Sequence, residues 1–284
     1  MFNSVKIDKQ LLKSLVTLGS VIEARDKYTG GHVYRVGQYA RKLGEKLGLP
    51  TDRLFALEVG GLVHDLGKIG TPDAILNKRD KLTDLEYDIM KNHVTLGANL
   101  VENHPLESLV IDSVSDHHER LDGKGYPESK DQEHISLHAR IMSVSDAFDA
   151  MTSARPYRLG MPAERAIEIM RTEIGTQFHA DIVGALASLY ESGELDAILG
   201  HAGFERKMLA CPACGPTIAP TGKHKDGDKV MCPACTGEYI LHKHGESYDI
   251  EFTENILNLY EPKVDEDAID YIVKVSPKKV NLSY

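Results

Sequence analysis

Seven side chains of the kind that bind metal ions are spread over the first half of the chain. They are His32, His64, Asp65, His93, His117, His118 and Asp146. Imidazole nitrogen and carboxylate oxygen together suit divalent iron, manganese or zinc. Seven ligands are too many for one ion that keeps an open position, and they favour two ions that share a carboxylate. A chain that uses them must fold so that distant segments meet at one place.

The segments that carry these residues have helical periodicity as far as about residue 205. Apolar residues recur at three- and four-residue spacing from 11 to 22 and again from 33 to 47. Residues 83–86 match a capping box that opens a helix carrying His93. Further helices are predicted over residues 138–151, 180–191 and 195–201. The ligands then come from at least five helices, which is how helical bundles build dinuclear sites.

The four cysteines of the chain lie close together after this helical part. Cys211, Cys214, Cys232 and Cys235 form two C-x2-C pairs, separated by residues 215–231. This spacing is typical of a zinc ribbon, in which four thiolates close one tetrahedral site. A rubredoxin-like iron site stays open, whereas disulfides are disfavoured in the cytoplasm. Alternating residues at 248–252 predict strands, and the stretch 265–275 fits either a helix or a strand.

Length and charge limit the classes of protein to consider. The 284 residues allow one large domain and a small one, predicted as residues 1–205 and 206–284. The net charge of −10 argues against broad binding to nucleic acid, which needs many cations on phosphates. We find no signal peptide and no apolar stretch near the roughly 20 residues of a membrane span. We therefore expect a cytoplasmic protein.

Five segments together resemble the HD-GYP family, a branch of the HD-domain phosphohydrolases. They are YTGGH at 28–32, HDLGK at 64–68, the isolated His93, HHERLDGKGYP at 117–127 and SDAFDAMTSARPYR at 145–158. The resemblance covers about residues 10 to 200. It implies a mainly α fold, an HD-type helical bundle with a dinuclear metal site. The small β-rich zinc ribbon at the C-terminal end departs from the usual arrangement of the family.

The resemblance also implies how the ligands divide between two ions, iron or manganese in this family. One ion takes His32, His64, Asp65 and Asp146, and the other takes Asp65, His93, His117 and His118. Asp65 would therefore bridge the two ions. Some relatives bind a third metal through a glutamate four residues before the first histidine. Tyr28 stands at that position, which resembles the two-metal subgroup.

Members of this family hydrolyse cyclic di-GMP to pGpG or on to GMP. Two ions lower the pKa of a bridging water and neutralise the phosphoryl oxygens and the leaving alkoxide. Attack by a metal-bridging hydroxide in line with the 3′ oxygen follows, with Asp65 and Lys68 as catalytic residues. Lys68 is expected to hold a phosphate oxygen or to assist proton transfer.

The substrate is expected to meet two further groups of residues. Arg155 and Arg158 match cationic positions that contact the dinucleotide phosphates, and arginine suits forked phosphate binding. The segment 123–127, called the GYP loop below, contains Gly125 and Tyr126. Glycine there lets the backbone approach a ligand closely, and the tyrosine could close over a base or meet a partner protein.

Two rival interpretations stay open at this point. One keeps the reaction and changes the substrate to another cyclic dinucleotide. The other is a non-catalytic sensor of cyclic di-GMP that signals through the GYP loop or the zinc ribbon. The complete set of seven ligands favours catalysis. A protein partner, a nucleic-acid polymer at the ribbon and a homodimer are neither required nor excluded by the residues.

Overall fold

A computed structural model describes residues 4–26, 30–78, 80–153, 160–203, 206–220, 224–245, 247–256, 264 and 266–282. After the short strand β1 (Ser4–Lys6), the first two hundred residues form helices, as expected. They are α1 (Lys9–Arg25), α2 (His32–Lys46), α3 (Thr51–Val63), α4 (Asp73–Leu76), α5 (Asp84–Val101), α6 (Glu107–Ser115), α7 (Leu137–Thr152), α8 (Ala163–Thr172) and α9 (Ala180–Glu191). Two short 3-10 helices span Leu66–Gly70 and Gln132–His134.

The rest of the described chain is mostly strand. The strands are β2 (His201–Gly203), β3 (Arg206–Lys207), β4 (Leu209–Cys211), β5 (Gly215–Ile218), β6 (Lys229–Met231), β7 (Gly237–His244) and β8 (Ser247–Ile256). Helix α10 (Glu266–Val275) and strand β9 (Lys279–Asn281) follow them. The mainly α fold with a small β-rich part is confirmed. Among the residues described here, no helix has the length and apolar character needed to cross a membrane.

Helix starts agree with local chemistry in the sequence. The capping box predicted at 83–86 is present: the Thr83 side chain accepts from the Glu86 amide, and the Glu86 side chain accepts from the Thr83 amide. Asp8 caps α1 by accepting from the amides of Gln10 and Leu11. These bonds satisfy amides at the first helical turn that have no partner within the helix.

One predicted helix is absent from the structure, and one stretch that the sequence left ambiguous is helical. The helix predicted over 195–201 is wrong: residues 192–200 form turns, and His201 begins a strand. Gly200 has a φ of +68°, which ends any helical path there. The ambiguous stretch at 265–275 is a helix, α10.

Helix α3 is the central element of the helical part. Every residue from Arg53 to Val63 is buried, as expected for a helix covered on all sides. Its contact with α2 is backbone to backbone, since a side-chain carbon at Gly61 would lie 2.3 Å from the Cα of Gly37. The start of α2 and the end of α3 therefore lie side by side, and these are the ends that carry His32 and His64.

The last described segment packs on the helical part. Strand β9 pairs antiparallel with β1, with Val280 opposite Val5. Ile269 and Ile272 of α10 are buried in the same apolar core as Leu12 of α1. The predicted division into residues 1–205 and 206–284 stays a prediction. The structure also shows that α10 and β9, which follow the cysteines in the sequence, complete the core of the helical part.

The region between these parts, residues 206–256, is called the cysteine module below. Strands β4 and β5 form one hairpin, and β6, β7 and β8 form an antiparallel sheet. Its small core contains Cys211, Ile218, Cys232 and Tyr239. A core of so few side chains buries little apolar surface. Small folding units of this kind commonly need a bound metal ion for stability.

Replacement of Ile272 by alanine should weaken the whole helical part. Ile272 is 1% exposed, and loss of such a buried side chain costs about 2–5 kcal/mol of unfolding free energy. Urea unfolding followed by the helical circular dichroism signal measures the change. Ile256→Ala is the matched control because Ile256 is 70% exposed. Equal stability of the two variants would show that α10 does not belong to the helical core.

Candidate metal centre

The seven predicted ligands come together at one place in the fold. His32 is the first residue of α2, His93 lies in α5 and Asp146 lies in α7. The other four follow helix ends directly, His64 and Asp65 after α3, and His117 and His118 after α6. Three overlapping groups of these side chains have ligand atoms within 4.8 Å of one another. Convergence of the predicted ligands is thereby observed, while their role as ligands stays a prediction.

The first group consists of His32, His64 and Asp146. The Nε2 atom of His32 lies 3.4 Å from Asp146 Oδ1, and the Nε2 atom of His64 lies 3.9 Å from the same oxygen. Donors about 2.0–2.2 Å from one ion are separated from each other by roughly 3–3.5 Å. The two histidines and the aspartate therefore have close to the spacing that one ion needs.

The second group consists of His93, His117 and His118. Two of its Nε2 atoms, on His93 and His117, are 3.4 Å apart. The His118 ring packs against that of His117 at a centroid distance of 4.1 Å. Three imidazoles can hold a divalent ion, and a carboxylate supplied from elsewhere would add the oxygen ligand that iron or manganese favours.

Asp65 supplies that carboxylate because it lies between the two groups. Its Oδ2 atom is 3.6 Å from His32 Nε2 and 3.3 Å from His64 Nε2. Its Oδ1 atom is 3.4 Å from His93 Nε2. Each oxygen thus faces a different group, which is the arrangement of a carboxylate shared by two ions.

The hydrogen bonds of the histidines indicate which nitrogens are available to metal. The Nδ1 atoms of His64 and His93 donate to the carbonyl groups of Gly61 and Met90. Their Nε2 atoms then carry the free lone pair and point into the cluster. His64 Nε2 is buried and has no hydrogen-bond partner among the described residues. A buried polar atom without a partner is costly, and a metal ion would satisfy it.

Burial keeps most of these imidazoles neutral. It lowers the pKa of His118 to about 3 and lowers that of His117 well below the ordinary value. Burial opposes a charge on His32 too, but hydrogen bonds to Asp149 and Asp65 outweigh it and raise the pKa of His32 to about 9. Metal binding to His32 would therefore release a proton.

Lys68 lies at the edge of the cluster, in the 3-10 helix that follows α3. Its Nζ atom is 2.7 Å from Asp65 Oδ2 and 3.5 Å from Asp26 Oδ2. Burial opposes ionisation of Asp65, but the charge of Lys68 holds its pKa well below the usual range. A cleft beside Lys68 is also lined by Glu23, Asp26 and His32.

The GYP loop is held tightly against the second histidine group. The Tyr126 ring stacks on the His118 ring, with centroids 4.8 Å apart and planes 29° apart. A side chain at Gly125 would collide with the backbone of Glu119 and Arg120, so glycine is required for the close approach. Asp122 accepts from the Lys124 amide and pairs with Arg120, which pins the start of the loop.

Several basic residues near the loop are already engaged in ion pairs. Arg120 bonds Asp122, and Lys130 Nζ lies 2.8 Å from Asp116. The amides of Glu128 and Lys130 donate to the buried Glu119. These contacts shape the loop. The predicted phosphate contacts Arg155 and Arg158, and Tyr28, lie outside the described residues.

Two buried residues that the sequence reasoning missed contact the cluster. Asp149 Oδ2 lies 2.8 Å from His32 Nδ1, and Arg35 forms two bonds to the carboxylate of Asp149. A signal exists in the sequence, since each stands three residues after a predicted ligand, Asp146 or His32. Residues three apart share one face of a helix.

The four cysteines also meet, as predicted from their spacing. Their Sγ atoms lie within 4.8 Å of one another, and those of Cys211 and Cys235 are 3.6 Å apart. Burial opposes ionisation of Cys211, but hydrogen bonds, first of all from the Tyr239 hydroxyl, lower its pKa to about 7. Four sulfur ligands in this arrangement fit a closed tetrahedral site.

Replacement of Asp65 by asparagine should remove manganese from both positions, because both histidine groups face this carboxylate. Asp146→Asn should remove only one ion per chain. Elemental analysis of manganese-loaded, dialysed protein measures the content. Asp181→Asn, on a side chain that is 80% exposed, is the matched control and should keep both ions. One ion retained in the Asp65 variant would contradict a bridging carboxylate.

Comparison with known proteins finds similarity over the helical part of the chain. A family model described as the HD domain matches residues 17–182. A cyclic di-GMP phosphodiesterase of Pseudomonas aeruginosa is 40% identical over 204 residues, which are 68% of this chain and 48% of that protein. A cyclic di-GMP phosphodiesterase of Thermotoga maritima is 35% identical over 63% of this chain and 49% of its own length.

Relatives with a different named substrate match equally well. A 3′3′-cGAMP-specific phosphodiesterase of Vibrio cholerae is 36% identical over 58% of this chain and 38% of its own length. The chain thus spans less than half the length of each of these three relatives. Among solved structures, an HD-GYP-type protein from Bdellovibrio bacteriovorus has a TM-score of 0.50 and 22% identity, covering 58% of this chain and 53% of that one. This likeness shows the fold alone.

Proposed function

The chain belongs to the HD-domain family, and on this premise we propose that it is a metal-dependent phosphodiesterase that hydrolyses cyclic di-GMP to pGpG, GMP or both. The observation that carries the proposal is the position of the Asp65 carboxylate, with one oxygen toward each histidine group. This position supports the binding of two divalent ions at one site, where they could act together on a phosphodiester. The names of the relatives in Pseudomonas and Thermotoga support this substrate class.

The ions proposed for this site are iron or manganese, since imidazole and carboxylate ligands suit both. When bound, two such ions neutralise the phosphoryl oxygens and the developing alkoxide, and they lower the pKa of water at the site. His32, His64, Asp65 and Asp146 would hold one ion. Asp65, His93, His117 and His118 would hold the other.

The protein side chains around the ions would bind and orient the dinucleotide. Lys68 is 15% exposed and lies beside Asp65, so its ammonium group can neutralise a phosphate oxygen at the cluster. Tyr126 and its partner Tyr87 give an aromatic surface next to His118, and Tyr87 is 49% exposed. A guanine base can stack on such a surface. Gly125 lets the loop backbone approach Glu119 and Arg120 closely, and this approach keeps Tyr126 beside His118.

The predicted contacts of Arg155 and Arg158 with the substrate phosphates are kept as part of the proposal. Both arginines belong to the segment SDAFDAMTSARPYR, whose Asp146 reaches the cluster. A second candidate function is hydrolysis of another cyclic dinucleotide, favoured by the likeness to the 3′3′-cGAMP-specific enzyme of Vibrio cholerae. A non-catalytic sensor is the remaining alternative, and the close approach of all seven ligands speaks against it.

We propose further that the cysteine module holds one structural zinc through Cys211, Cys214, Cys232 and Cys235. Four thiolates leave no open position for a substrate. The module could also contact a protein partner. The Lys225 and Lys229 side chains provide some positive charge between the cysteine pairs, but they do not make a nucleic-acid site by themselves.

An anaerobic assay of iron- or manganese-loaded protein should release linear product from cyclic di-GMP. Chromatography separates pGpG from GMP, and parallel reactions with 3′3′-cGAMP compare the substrates by kcat/KM. Asp65→Ala should abolish product formation. Lys68→Gln should lower kcat/KM by about 10-fold or more, because a charge-assisted phosphate contact contributes roughly 1.5–3 kcal/mol; Lys46→Gln is its surface control.

The outcomes of this assay separate the three interpretations. A higher kcat/KM for 3′3′-cGAMP than for cyclic di-GMP would make 3′3′-cGAMP the preferred substrate. Binding of cyclic di-GMP without any turnover by the metal-loaded protein would contradict catalysis and favour the sensor.

Replacement of Cys211 and Cys214 by serine should remove one zinc per chain. Manganese content at the other site should stay unchanged, since no cysteine is among its ligands. Elemental analysis after purification with both metals measures the two contents separately. Loss of both metals together would show that folding of the cysteine module and of the metal centre is coupled.

A further inference from the structure

His32 differs from His64 and His93 in how its ring is held. His64 and His93 each donate from Nδ1 to the carbonyl three residues earlier, Gly61 or Met90. His32 opens helix α2, so no turn of its own helix precedes it. Its Nδ1 is instead directed at Asp149, a residue of α7 that is far away in the sequence.

Asp149 is placed for this contact by the periodicity of α7. It lies one turn after Asp146, so both carboxylates are on the face of α7 that meets α2. Asp149 is completely buried, and its Oδ2 atom is 2.8 Å from His32 Nδ1. Asp149 accepts the hydrogen bond of Nδ1, so Nε2, which faces Asp65 and Asp146, is the nitrogen available to a metal ion.

Arg35 holds Asp149 in turn. It lies one turn after His32 and is 2% exposed. Its Nε atom is 2.6 Å from Asp149 Oδ1, and its Nη2 atom is 3.0 Å from Oδ2. Two parallel bonds of this kind fix the plane of the carboxylate as well as its distance.

The outer side of the Arg35 guanidinium is anchored to the chain that leads into the cysteine module. Its Nη1 atom donates to the carbonyl of His201 in β2 at 2.8 Å and to the carbonyl of Gly30 at 3.0 Å. Strand β2 also lies against Gly31, where a side-chain carbon would come within 2.5 Å of Ala202 Cα. Gly31 directly precedes His32.

We propose that Asp149 and Arg35 are positioning residues for the metal ligand His32, and that strand β2 completes their support. Asp149 sets the tautomer and the direction of the imidazole, and Arg35 fixes Asp149 against α2. The inference rests on the two-ion centre of the proposed function. It adds residues that touch neither ion and that nevertheless determine how tightly one ion is bound.

The size of the expected effect follows from similar supports in other metal sites. Mutation of a partner that orients a metal-bound histidine typically weakens metal affinity by about 10- to 100-fold. Here only the ion held by His32 should be affected at first, because the hydrogen bonds of Asp149 to described residues go to His32, Arg35 and Ser153 and not to His93, His117 or His118. Titration should therefore separate a tight ion from a weakened one.

Manganese titration of Asp149→Asn, followed by the electron paramagnetic resonance signal of free manganese, tests the proposal. Wild-type protein should bind two ions per chain, and the variant should bind one of them about 10- to 100-fold more weakly. Manganese disfavours thiolate ligands, so the cysteine site does not enter the count.

A matched control separates positioning from general loss of structure. Glu58 is 2% exposed and accepts from Arg41 and Gln38, so Glu58→Gln also removes a buried carboxylate paired with arginine. It touches no predicted ligand, and its manganese affinity should equal that of the wild type. Thermal unfolding of both variants shows whether their loss of stability is comparable.

A double variant covers the case in which Asp149→Asn does not fold because Arg35 is left as an unpaired buried charge. Arg35→Gln/Asp149→Asn removes both charges and keeps similar side-chain volume. It should fold and should still bind one manganese about 10- to 100-fold more weakly. Wild-type affinity for both ions in a folded Asp149 variant would overturn the inference. No manganese binding by the wild-type protein would overturn the two-ion centre itself, which is a different result.

Discussion

The metal centre depends on how closely helices α2 and α3 can approach each other. At Gly37 and Gly61 the two backbones are in contact, and a side chain at Gly61 has no room. This contact lies just inside the two helix ends that carry His32 and His64, so it sets the distance between their rings, 5.3 Å between centroids. Asp65 follows His64 directly and is thereby brought between the histidine groups. A larger residue at either glycine would move apart the ligands of the first group.

The electrostatics of the centre favour the binding of metal cations over the binding of protons. His32, His64, His93 and His117 are buried, and the ring of His118 packs against that of His117. Burial lowers the pKa of His93, His117 and His118, which disfavours their own protonation. Asp65 and Asp146 nevertheless keep lowered pKa values and therefore their charge. Divalent ions combine with neutral imidazoles and ionised carboxylates, so the same burial that discourages protons leaves ligands ready for metal.

Much of this could be predicted from the sequence because the ligands stand at recognisable points of helices. A capping box located the start of α5, and C-x2-C spacing located the cysteine cluster. The failures concern long-range packing. The helix expected at 195–201 gave way to turns and a strand, since β2 bonds to Arg35 and lies on Gly31. Helix α10 was ambiguous because its apolar face is matched by α1, more than two hundred residues earlier.

Two contacts hold the entrance to the cysteine module against the helical part, and this explains why the wrong prediction near residue 200 matters. On the entering side, the carbonyl of His201 accepts from Arg35, which holds the support of His32. On the same entering side, Arg206 at the start of the module pairs with Asp267 at the start of α10, and α10 is packed on α1. A helix through 195–201 would have directed the His201 carbonyl along the helix axis, whereas in β2 this carbonyl accepts from Arg35. The local conformation of β2 is therefore part of what keeps the first metal ligand in place.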